Sequence, residues 1–158
     1  MDRHIHDQDT GRSEGTADAT FVGGGRVPGP GAGGPDRRPL QFRRGGWVER
    51  REGAVLTLSR RPGAGFDLGA ETVLPPVRSR GRLAHQVRQD LWRALQGLRG
   101  FSPVVAVTHA PTGTILRAGG QVAGRGVPKA HAEARIAALL EDAGHRARWL
   151  RHAGGQDA

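Results

Sequence analysis

The chain has 158 residues, no cysteine and a formal charge of +9, from 24 basic against 15 acidic side chains. That leaves room for one modest core and excludes disulfides and thiolate metal sites. The positive field attracts phosphate polymers, anionic surfaces or acidic proteins without choosing among them, and because Lys129 is the single lysine the excess is one of arginine.

Residues 1–39 carry few large apolar side chains and include the clusters Gly23-Gly24-Gly25, Pro28-Gly29-Pro30-Gly31 and Gly33-Gly34-Pro35. Such a segment cannot repay the entropy of ordering, so the expectation is a disordered tail over 1–39 followed by one domain over 40–158. The first twenty residues lack the apolar stretch of a secretory signal, and no apolar run approaches the length of a membrane span. A cytoplasmic location is therefore expected.

Trp47-Val48 and the run 54–58, separated by Glu52-Gly53, predict a first hairpin. Pro75-Pro76 and scattered glycines make 63–81 a connector with one short strand at 71–74. Leu83, Val87, Leu91, Ala94, Leu95 and Leu98 recur at spacings of three and four, which predicts a helix over about 82–98 stopped by Gly100. An apolar run at 103–108, a turn at Pro111-Thr112-Gly113 and a return at 114–118 predict a second hairpin. Gly119-Gly120 through Gly126 read as a glycine-rich connection. It leads to a helix over 129–142 with Ala132, Ile136, Leu139 and Leu140 on one face, ended by Gly144, and 145–152 adds a short basic helix. The fold class is α+β: two β-hairpins, two main α-helices and a short C-terminal helix behind the tail.

Four arginine doublets lie between Asp36 and Pro62, interleaved with Phe42 and Trp47. Guanidinium groups bind phosphates bidentately and aromatic rings stack on exposed bases, so Arg43, Arg44, Trp47, Arg50 and Arg51 form the candidate nucleic-acid patch. Adjacent residues on a strand point to opposite faces, so a doublet presents both charges together only in a loop or at a strand end. Arg125 and Lys129, near the start of a helix, form a second candidate anion site. Trp92 and Trp149 read most simply as core or core-edge residues, and Trp149 with Arg146, Arg148 and Arg151 is an alternative partner-docking centre.

The order helix, Pro103-Val104-Val105-Ala106-Val107 strand, turn, strand, and then His131-Ala132-Glu133 at the start of a helix resembles the first half of the cytidine and tRNA-adenosine deaminase families over residues 82–140. That resemblance implies His131 as a zinc ligand and Glu133 as the acid/base. The Pro-Cys-x-x-Cys that completes such a site is absent from this cysteine-free chain. Nothing else in the sequence points to a cofactor. The expected function is a non-enzymatic basic binding or accessory module contacting nucleic acid or an acidic protein partner, with no membrane association. The alternatives are a degenerate deaminase-like enzyme or pseudoenzyme, and a protein-interaction subunit.

Overall fold

The computed structural model describes residues 39–155; the expected tail over 1–39 lies, but for its last residue, outside the described residues. Six strands form one antiparallel sheet in the order β1-β2-β3-β5-β6-β4. They are β1 (Leu40–Arg44), β2 (Trp47–Glu52), β3 (Val55–Ser59), β4 (Leu68–Leu74), β5 (Phe101–Ala110) and β6 (Gly113–Val122). Three helices, α1 (Arg80–Ala94), α2 (Lys129–Glu141) and α3 (Ala143–Ala153), complete the α+β fold.

The first hairpin of the sequence reading is β2–β3, and it gains a neighbour the sequence did not announce. Gly45 and Gly46, at φ 56° and 78°, make a two-residue turn of the kind that matches strand twist, and they fold β1 back on β2 in the register Arg44↔Trp47 and Arg43↔Val48. All five residues of β1 are exposed, so its short Leu40-Gln41-Phe42 alternation buries no face. The expected short strand at 71–74 is the second half of β4, which pairs along β6 from Leu68↔Gly120 to Leu74↔Thr114.

Alternation along the strands sends Leu56, Leu58, Val105, Val107, Leu116 and Ala118 into the main core, where Leu83, Ala84, Val87 and Leu91 of α1 and Ile136 and Leu140 of α2 meet them. Each leucine, isoleucine or valine among them, taken fully out of water, contributes about 1.5–3 kcal/mol before the entropy of ordering is subtracted. The opposite face of the sheet is only partly covered. Residues 63–67 reach across it, with Phe66 against the Arg117 guanidinium at 4.4 Å and the Asp67 carboxylate accepting from Val122 N–H at 2.9 Å.

Helix ends depart from the sequence reading at three places. Ser79 caps α1, its Oγ accepting from Arg82 N–H at 3.2 Å, so the helix starts two residues early; it ends at Ala94, although Leu95 stays buried and Leu98 packs at the core edge. Gly144 does not end α2. The break falls at Asp142, which is extended and caps α3 by accepting from His145 N–H at 2.8 Å, so Gly144 sits in the first turn of α3. Gly119-Gly120 is strand rather than connection, because a glycine pair there lets three backbones approach closely.

α3 is tied to α1 through a buried carboxylate. Asp90, on the apolar stripe of α1 and 4 % exposed, accepts from the Trp149 indole N–H at 2.7 Å and from Arg148 on the same oxygen, with Arg93 at 3.5 Å on the other. Trp149 is thereby a core residue and not a docking centre, and its neighbour Arg146 is spent on the carbonyls of Val73 and Leu140, both at 2.9 Å.

Candidate functional site

Strand alternation divides the candidate arginines between two faces of the sheet. Trp47, Glu49 and Arg51 of β2, with Arg44 of β1, face α1 and line one cleft with it. Arg50 falls with Val48 and Glu52 on the opposite face, and Arg43, paired with Val48 in the β1–β2 register, goes with them. Arg50 is also engaged with Glu52 at 3.2 Å. The five predicted residues therefore separate into Arg44, Trp47 and Arg51 on the α1 side and Arg43 and Arg50 behind them.

The α1 side is a groove made of two adjoining clefts that share Trp47 and Arg88. One, of about 720 Å³, lies between the β1–β2 hairpin and the first half of α1, with Arg82 and His85 contributed by the helix. The other, of about 460 Å³, lies between the second half of α1 and the start of β5, with Arg60, Trp92 and Phe101 on its walls. Arg60 follows β3 and Arg88 lies on α1, so these groove residues come from segments far apart in sequence. No local pattern links them.

Trp47 is the hinge of this arrangement. Its ring is 7 % exposed, and the guanidinium carbons of Arg60 and Arg88 lie 4.3 Å and 4.4 Å from its centroid. Each contact stabilises by about 0.5–2 kcal/mol and holds the two cations close together. Neither arginine has a carboxylate partner within 4.0 Å among the described residues. Partial burial first, and the Arg60 charge second, hold Arg88 below the usual guanidinium range. An anion placed between them would relieve that repulsion. The exposed indole of the groove is Trp92, not Trp47: it is 50 % exposed, against the sequence expectation of a core or core-edge residue.

Among the described residues the one carboxylate lining the groove is Glu49, which is held by Arg51 at 2.7 Å. His85 accepts at Nδ1 from Arg88 Nε at 3.1 Å, which requires a neutral ring, and its Nε2 lies 4.0 Å from Glu49. Burial, then the Arg88 charge, lowers its affinity for a proton below the ordinary value of 6.5. The unfolded chain therefore takes up this proton first, so stability present above pH 6.5 is lost as pH falls from there through the lower folded-state value. His85→Gln should flatten that loss when unfolding by urea is compared at about pH 7.5 and 5.5. His109 is shifted in the same direction, so the difference between variant and wild type isolates His85. An unchanged pH dependence in the variant would contradict the assignment.

The second predicted anion site lies at the other end of the sheet. α2 packs on β4, the edge strand opposite β1, and Lys129 in its first turn stands 4.0 Å from Glu133, with Arg125 in the loop before it. The structure does not bring Arg125 and Lys129 together with the groove.

His131 lies in the first turn of α2 and Glu133 just beyond it. His131 is exposed, and Glu133 accepts from Gly69 N–H at 3.3 Å, which ties the helix to β4. Among the described residues no group of three His, Cys, Asp or Glu side chains could hold a metal, so His131 has no companion ligands there and the residues present do not fit a zinc site. No helix among the described residues is long and apolar enough to cross a membrane. Comparisons with protein-family models, with curated proteins and with solved structures find no match to this chain.

Proposed function

We propose that this chain is a non-enzymatic, cytoplasmic nucleic-acid-binding module whose contact surface is the groove between the β1–β2 hairpin and α1. The observation that supports this reading most is the convergence of Arg44, Arg51, Arg60, Arg82 and Arg88 from separate elements onto one groove that has, among the described residues, a single lining carboxylate, Glu49. Guanidinium groups on a rigid helix and hairpin are suited to phosphate oxygens, which they bind through paired N–H donors. Binding rather than catalysis follows from the engagement of Glu49 by Arg51 and of His85 by Arg88, which commits those acid and base candidates to holding the groove in shape.

The reading is tested by titrating the full chain with labelled single strands and duplexes over a range of salt concentrations. With Arg51 taken up by Glu49, contacts from the other four arginines to phosphates of a single strand predict that log K falls against log salt with a slope of about −3, at roughly 0.7 per phosphate. Salt-independent binding, or no binding at about 50 mM salt where even non-specific phosphate contacts register, would overturn it.

A further inference from the structure

The smaller cleft of the groove differs in chemistry from the larger. Its floor is aromatic and apolar, with Trp47, Phe101 and Pro103, and one wall is the half-exposed Trp92. Arg60 and Arg88 stand beside it, with Arg93 paired to Asp90, and among the described residues no carboxylate lines it. Gln89, one helical turn before Trp92, adds an amide. Its volume of about 460 Å³ falls within the roughly 300–1,000 Å³ of small-ligand sites.

The half-exposed Trp92 indole and the cations that line the same cleft fit one occupant by complementarity: a flat aromatic group that carries negative charge beside it. A nucleobase in a polynucleotide has that chemistry. In a duplex each base is already stacked and paired, so only an unpaired base can enter the cleft.

We propose that this cleft is a slot for one unpaired base of a single-stranded nucleic acid, with the Trp92 indole as its stacking surface and Arg60 and Arg88 holding the adjacent phosphate. The amide of Gln89 supplies a donor and an acceptor for the base edge, giving the slot a modest preference among bases. The proposal rests on the groove reading above and adds a strand preference that arginine contacts alone do not produce.

The test is the affinity of the full chain for a labelled single-stranded oligonucleotide and for its duplex, at one salt concentration, in wild type, Trp92→Ala and Trp92→Phe. Trp92 is half-exposed, so both variants should fold; thermal unfolding checks this before binding is measured. Loss of one base stack predicts about 5- to 150-fold weaker single-strand binding in Trp92→Ala, with most of the affinity recovered in Trp92→Phe. Duplex binding and the salt slope stay unchanged. Single-strand affinity that is unaltered in Trp92→Ala, beside salt-dependent binding by the wild type, overturns the slot and leaves the groove standing. Equal losses for single strand and duplex also overturn the slot, because a stacking site for an unpaired base would not touch the duplex. Failure of the wild type to bind either strand form overturns groove and slot together.

Discussion

Gly119→Ala should destabilise the protein by about 3 kcal/mol, the upper part of the range for overpacked sites, and lower its melting temperature by on the order of 10 °C. Gly119 lies on β6, paired with Gly69 of β4 on one side and Val104 of β5 on the other. A Cβ there would collide with the Leu68 carbonyl oxygen and lie 2.6 Å from Gly69 Cα. Both obstacles are backbone, so no rotamer change relieves them; β4 must move away from β6. The same argument holds on the other side of the strand, where a Cβ at Gly120 would collide with the Ser102 carbonyl and lie 2.9 Å from the Phe101 ring. By contrast Gly97 has open space around its missing Cβ and ordinary backbone angles, so Gly97→Ala should leave stability within about 1 kcal/mol. Melting curves of the two variants check this, and a shift below about 3 °C for Gly119→Ala would contradict the close approach of β4.

Asp90→Ala should cost about 2–3 kcal/mol by a different route. The Trp149 side chain is wholly buried, and its indole N–H has Asp90 as its acceptor. Removing the carboxylate strands that donor in the core and releases Arg148 from the same oxygen. Arg148 is partly exposed and turns to water at little cost, so most of the penalty comes from the indole. Asp90→Asn keeps an acceptor oxygen for Trp149 and loses the ion pair, so its cost should be about half. Urea denaturation followed by tryptophan emission measures both. Equal costs for Ala and Asn would show that the charge, and not the buried hydrogen bond, carries the link between α1 and α3.

These two residues show where sequence and structure part company. The periodic apolar positions of α1 and α2 place both helices within a few residues of their observed ends, because Leu83, Val87 and Leu91, and likewise Ile136 and Leu140, bury one face of each against the sheet. The β5–β6 hairpin was legible through its Pro111-Thr112-Gly113 turn, but its length was not. A glycine pair looks the same in sequence whether it breaks a strand or lets neighbouring backbones close on it. Asp90 carried a usable signal, a carboxylate on the apolar stripe of α1, and that stripe could have prompted a search for a buried donor on another element.

The groove was legible only in part. The arginine doublets drew attention to the β1–β2 hairpin, and strand alternation correctly warned that half of each would face away: Arg44 and Arg51 line the groove, while Arg43 and Arg50 do not. Arg60, Arg88 and Trp92 join it through tertiary packing, and no spacing in a single sequence encodes that meeting. Trp47, expected as a stacking surface, is instead the ring on which two arginines are held.

The central claim is that the groove, rather than the general positive charge, holds nucleic acid, and one comparison tests it most directly. Arg60→Gln with Arg88→Gln removes two charges from the groove, and Arg125→Gln with Lys129→Gln removes two from the far end of the sheet. Each double variant and the wild type are titrated with the same single strand across a salt series. The groove pair should weaken binding and reduce the steepness of the salt dependence by about 1.4 for two lost phosphate contacts, while the far pair leaves the slope unchanged. Equal changes in the two variants would contradict the account, since binding would then follow net charge and not the site.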